Sequence, residues 1–268
     1  DVWNNYLTTP FRQIMSVPHK ITPDSEAFFV GEIQRLKEGI EKHFGVTIGE
    51  DALRETIQVY NRGRELLKKL YDLRKGEIPL VSGEEVMEVI QASMRMPRPD
   101  FNEHLERLLD EVSHRRPGDD GRIRILVSGG MLDSPDFMAS VESLGAWVVG
   151  DELCAGSRYF WNLVDSSLEP IEALSKRYLS HPPCARMRPF ETRMNFIQEL
   201  IREFKADGVI SEAVKFCDIY GHDKPLVKEK LEASGVPVLE LDLEYGMGGL
   251  GQIRTRVEAF LEMIKVRQ

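Results

Sequence analysis

Between Ile123 and Leu241, short apolar runs alternate with stretches whose apolar positions recur every three or four residues. This alternation constrains the fold more than any other feature of the chain. Runs at Ile123–Val127, Ala146–Val149, Gly208–Ile210 and Pro237–Leu241 predict strands. The segments 134–144, 157–163, 170–179, 190–205, 222–234 and 251–265 predict helices. Strands separated by helices must return to the same end of a sheet each time, so the expected fold is α/β, with a parallel, doubly wound sheet of about four strands. The expected strand order is 2-1-3-4. Before this region the periodicity is helical throughout: 24–45 closed by Gly45, 49–75 stopped by Gly76, a helix opened by Ser82 with Glu85 at capping-box spacing, and Phe101–Val112. The turn-rich stretch His114–Gly121 divides a helical segment, 1–120, from an α/β domain, 121–268.

At 268 residues, with 42% hydrophobic and 29% charged side chains, the chain reads as an ordinary soluble globular protein. It has no apolar run near the roughly 20 residues needed to span a membrane, and no basic and apolar leader at its start. A cytoplasmic location is expected. A net charge of −9 argues against nucleic-acid binding, which needs a basic footprint. Arg186, Arg188 and Arg193 remain a local basic cluster able to hold a small phosphorylated ligand. The first residue is not methionine, and the opening reads as the middle of a longer protein.

Three cysteines do not make a disulfide framework. Cys154 and Cys217 each follow a predicted strand by a few residues, which places both thiols at the carboxyl edge of a parallel sheet, where ligands bind. Thiolate is the natural ligand of iron and zinc, so the pair predicts a metal or iron–sulfur site; the competing reading is two small buried apolar residues. Cys184 lies between two helices and reads as structural. His222, five residues after Cys217, reads as a helix-start residue. Ser128-Gly129-Gly130 after the first strand reads as a plain turn more than as a phosphate loop. The glycine-rich stretch Glu244–Gly251 leads into Gln252, Arg254 and Thr255 at a helix N-terminus suited to an anion. There is no G-x-S-x-G elbow, phosphate-binding P-loop or C-x-x-C pair.

Four stretches together carry a family likeness: Gly145–Phe160 with its D-E-L-C-A-G-S-R-Y core, Asp207-Gly-Val-Ile, Lys215-Phe-Cys-Asp218, and Gly251–Phe260, supported by Tyr60-Asn-Arg-Gly-Arg64. The chain resembles the iron–sulfur subunits of the 2-hydroxyacyl-CoA dehydratase and benzoyl-CoA reductase family. The resemblance implies a subunit that holds a [4Fe–4S] cluster through three cysteines within a heterodimer. It implies an acyl-CoA substrate and an electron supplied by a separate ATP-dependent activator iron–sulfur protein. In the dehydratases that electron generates a ketyl radical and the hydroxyl leaves; the reductases put electrons into an aromatic thioester ring. The N-terminal lobe of such subunits is expected to be missing from this chain, so the cluster is expected to be incomplete in it alone.

The reading that follows is a dehydratase subunit with Cys217 as metal ligand and Cys154 as a second candidate. Arg158 and Lys215 are candidates to support the cluster ligands or to contact CoA phosphates, and Gln252 and Arg254 are candidate cofactor-binding residues that would meet an anion or a partner's acidic group. A benzoyl-CoA-type reductase subunit is the enzymatic alternative, and a metal-free, non-catalytic dimer partner is the alternative from another class. The partner is a homologous second subunit or the missing lobe.

Overall fold

The computed structural model describes residues 5–116, 121–132, 134–244 and 250–267. Four long helices among the described residues precede the sheet: α1 (Pro23–Phe44), α2 (Glu50–Asp72), α3 (Gly83–Arg95) and α4 (Arg98–Ser113). Their ends follow from local chemistry. The Thr22 side chain accepts from the Ser25 amide at 3.2 Å, Pro23 presets the first turn, and Gly45 closes α1 at φ 65°. Ser82 and Glu85 form the expected reciprocal cap, the Glu85 amide donating to Ser82 Oγ at 3.1 Å and the Ser82 amide to Glu85 Oε2 at 2.8 Å.

Strands and helices then alternate: β1 (Ile123–Gly129), α5 (Pro135–Glu142), β2 (Ala146–Glu152), α6 (Ser157–Phe160), α7 (Pro170–Ser180), α8 (Phe190–Glu203), β3 (Gly208–Val214), α9 (Asp218–Ala233), β4 (Val238–Leu243) and α10 (Leu250–Arg267). The sheet is wholly parallel, in the order β2-β1-β3-β4. This is the expected α/β class and the expected order.

Two apolar layers cover its faces. Leu126, Val149 and Val209 pack with Leu67 and Leu70 of α2, Ile90 of α3, Leu200 of α8 and Val227 of α9. Their strand neighbours Ile125, Val127, Val148 and Ile210 pack with Phe137 of α5 and Val257 and Leu261 of α10. Successive strand residues point to opposite faces, so continuous apolar runs fill both layers.

The chain separates into two compact units: residues up to Asn61 with Leu163–His181, and Arg62–Asn162 with Pro182 onward. The change from helical to alternating elements near residue 120 falls inside the second unit. In the first unit α1 packs on α7, and Asn61 clamps Val164 from both sides, its Nδ2 donating to the carbonyl at 2.7 Å and its Oδ1 accepting from the amide at 2.9 Å. In the second, buried Arg124 at the start of β1 donates to the carbonyls of Arg74 and Phe204, both at 2.8 Å. A cation is thereby set just past the ends of α2 and α8, where helix carbonyls lack partners.

The strands run further than their apolar runs. Those runs predict ends at Val149 for β2 and Ile210 for β3; both strands continue through buried polar residues, Asp151 and Glu152 in one and Ser211 and Glu212 in the other. Helix α9 begins at Asp218, four residues before the expected 222, and carries Pro225 inside it. The Asp-Lys-Pro run resembles a helix start, and here it lies within the second turn.

Candidate functional site

Every strand delivers its carboxyl end to one edge, and the side chains gathered there are ionic. Cys154 follows β2 by two residues and its amide donates to the Gly130 carbonyl at 3.1 Å, which ties it to the end of β1. Cys217 follows β3 by three residues and is the N-cap of α9, its carbonyl accepting from the Gly221 amide at 2.8 Å. Both expected thiols therefore follow carboxyl ends in one parallel sheet. Cys154 is exposed and Cys217 half-buried. Cys184 lies half-buried in the turn between α7 and α8, its carbonyl accepting from the Met187 amide at 3.0 Å.

Behind Cys154 lies a buried ion network. Arg158, 3% exposed, is ion-paired with Glu152, donates to the Gly129 carbonyl at 2.6 Å and to Cys154 Sγ at 3.1 Å. Arg193, at the start of α8, donates through Nε and Nη2 to the two Glu152 oxygens at 3.0 and 2.9 Å and is ion-paired with Asp223 of α9. Ser128 Oγ adds a hydrogen bond to Glu152 at 2.8 Å. Burial pushes the Glu152 carboxyl up, and the two guanidinium groups outweigh it, so its pKa falls below the ordinary value. For Arg158 burial acts downward and Glu152 upward, and the upward pull wins. The Tyr220 ring lies 5.7 Å from the Arg158 guanidinium carbon and 5.4 Å from that of Arg193. A fixed cation thus stands against the Cys154 sulfur, its charge matched by Glu152 behind it.

Around Cys217 the edge is open among the described residues. A depression of about 250 Å³ is lined by Lys215, Phe216, Asp218, His222 and Asp242 beside it. Phe216 is 99% exposed and stands at φ 69°. Lys215 is half-exposed and ion-paired with Glu244. Gln252 is exposed on the first turn of α10, and Arg254 donates to Ser143 Oγ at 2.8 Å, at the C-cap of α5. The glycine-rich stretch ahead of them, 245–249, lies outside the described residues. Arg193, expected as part of a cluster for a phosphorylated ligand, is instead buried and used up by Glu152 and Asp223.

Sequence reasoning does not single out Glu152, Arg193, Tyr220, Asp223 and Glu212 as members of this edge. A helix packed on a parallel sheet runs against the strands, so the first turn of α8 returns to the same edge; counting only residues after strand ends overlooks it. Among the described residues no three His, Cys, Asp or Glu side chains come together as a metal site. By that measure the described residues do not by themselves fit a four-iron cluster, which needs at least three converging donors. No helix among them is long and apolar enough to cross a membrane.

The sequence profile of the 2-hydroxyglutaryl-CoA dehydratase D-component family matches residues 1–264. The chain is 28% identical over 261 residues to a protein of Escherichia coli K12 provisionally named dehydratase subunit YjiM, covering 94% of this chain and 67% of that protein. It is 26% identical to the (R)-phenyllactyl-CoA dehydratase beta subunit of Clostridium sporogenes, over 85% of this chain and 61% of that one. With a benzoyl-CoA reductase subunit of Thauera aromatica the identity is 25%, over 99% and 70%. The chain thus spans between 61% and 70% of the length of these relatives. With a match over nearly its whole length, the chain belongs to the 2-hydroxyglutaryl-CoA dehydratase D-component family.

Proposed function

We propose that the chain forms part of one subunit of a [4Fe–4S]-dependent 2-hydroxyacyl-CoA dehydratase, which removes water from an acyl-CoA by a radical route. It would act in the cytoplasm with a homologous second subunit and an ATP-dependent activator iron–sulfur protein. The observation that carries this reading is Cys217 at the N-cap of α9, at the carboxyl edge of the sheet, in a chain whose residues 1–264 match the dehydratase family. Cys217 is assigned as a thiolate ligand of the cluster and Cys154 as a second, with further donors from outside the described residues. Arg158 holds Cys154, and Lys215, Gln252 and Arg254 are assigned to the CoA phosphates, the last in competition with Ser143.

A benzoyl-CoA-type reductase is the second reading, favoured by the 99% coverage of this chain in the match to the Thauera aromatica reductase subunit. The third reading is a non-catalytic dimer partner without metal. The complete protein, reconstituted anaerobically with iron and sulfide, separates the three when iron is counted and 2-hydroxyacyl-CoA and aromatic acyl-CoA substrates are compared. Cys217→Ser is expected to lower bound iron and abolish turnover, because a serine hydroxyl is far less acidic than a thiol. Cys184→Ser should leave both near normal. Full iron and full turnover in Cys217→Ser would end the assignment.

A further inference from the structure

Glu212 occupies the fifth position of β3, a central strand, and is fully buried, yet among the described residues neither of its carboxyl oxygens accepts a hydrogen bond of ordinary geometry. A buried carboxyl left without partners opposes folding, so its presence calls for another reason. The surroundings make room for it. It pairs across the sheet with Gly129, and a Cβ at Gly129 would stand 2.3 Å from Glu212 Oε1 and 2.4 Å from its carbonyl oxygen. Gly129 and its neighbour Gly130 also carry the corner described above: the Gly129 carbonyl accepts from Arg158 and the Gly130 carbonyl from the Cys154 amide. Glu212 is therefore one peptide unit behind the contact between Arg158 and the Cys154 sulfur.

The charges around it already balance. Arg158 and Arg193 are held by Glu152 and Asp223, and Lys224 of α9 by Asp242 of β4. The Tyr220 hydroxyl of α9, buried and without a hydrogen-bond partner among the described residues, adds no charge. An ionised Glu212 would be one negative charge too many. Burial accordingly pushes the carboxyl up to about 7; the Gly130 amide, Arg158 and Lys224 pull it down, and Glu152 adds to the rise.

We propose that Glu212 is a proton-exchanging positioning residue for the Cys154–Arg158 corner. It takes up a proton when negative charge arrives beside Arg158 and releases it when that charge leaves, so the buried charge behind the corner stays constant. The exchange is protonation alone: a solvent proton binds a carboxylate oxygen, and no other bond changes. An anion drawn to Arg158 spends the field that otherwise stabilises the Glu212 carboxylate, and the carboxyl then holds its proton at higher pH. The inference deepens the proposed function, in which Cys154 acts as a thiolate, a negative charge held against Arg158.

The test needs no iron, so a failure of the cluster assignment leaves it standing. In the full chain labelled with carbon-13 at glutamate carboxyls, one resonance is expected to titrate near neutral pH and to vanish in Glu212→Gln. In a Cys184→Ser, Cys217→Ser background, iodoacetate adds a carboxylate at Cys154 and iodoacetamide adds its neutral counterpart through the same bond. The carboxymethyl adduct should raise the Glu212 midpoint by about half a pH unit or more relative to the amide adduct. Cys154→Asp in the otherwise native chain, compared with Cys154→Asn, gives the same comparison if the double-serine background does not fold. No glutamate titrating near neutrality, or equal midpoints with charged and neutral groups at position 154, would overturn the proposal.

Discussion

Glu212 makes a stability prediction with a definite sign. An unfolded glutamate loses its proton near 4.5, whereas the buried carboxyl keeps it to about 7. Between these values the folded chain binds a proton that the unfolded chain has released, so stability is greatest below the window and declines as pH rises through it. At about 1.4 kcal/mol per unit, the decline attributable to this group is on the order of 3 kcal/mol. Glutamine copies the neutral acid and cannot titrate. Urea unfolding of native chain and Glu212→Gln across pH 4.5 to 7.5 should therefore give a difference that grows with pH, the variant becoming the more stable protein at the upper end. Parallel profiles would show that the carboxyl is not protonated in the fold.

At the scale of the elements, the capping box of α3 carries a simple test. Ser82→Ala removes the acceptor for the Glu85 amide and should cost about 1 kcal/mol, read as a lower urea midpoint with unchanged slope. That cap, like the Gly45 stop of α1, was legible in the sequence because it depends on residues a few positions apart. So was the parallel sheet, since adjacent strand residues such as Ile125 and Leu126 are both apolar and are buried on opposite faces. The strand ends were not legible. Asp151 and Glu152 look like a surface turn, and only long-range partners make them strand: Tyr71 Oη donates to Asp151 at 2.5 Å, and Arg193 reaches Glu152 from another helix. The same limit applies to the site. Cys154 and Cys217 could be assigned to one edge from connectivity alone, while Glu212 and Arg193 are separated in sequence from everything that gives them a role there.

For the sheet as a whole, the two apolar layers have no buried side chain in common and are met mostly by different helices, although α3 gives Val86 and Ile90 to one and Met87 to the other. Leu200 of α8 lies in one layer and Leu261 of α10 in the other, both buried. Replacing either by alanine should cost roughly 2 to 5 kcal/mol, and the double variant should lose the sum within about 0.5 kcal/mol. Denaturant unfolding of the two single variants and the double variant checks this; a marked departure from additivity would show that the layers are coupled through the strands between them.

Phe216 supplies a different kind of information, about what selection for a stable fold would not retain. Its backbone takes a conformation that glycine adopts freely and other residues adopt at a cost of roughly 1 to 2 kcal/mol. Its ring is spread into water beside Cys217 and covers nothing among the described residues that would repay the cost. An engineer concerned only with thermal endurance would choose glycine there. The native choice marks the three-residue turn from β3 to α9 as a place where folding economy has yielded to another requirement, one met at the surface and not in the core.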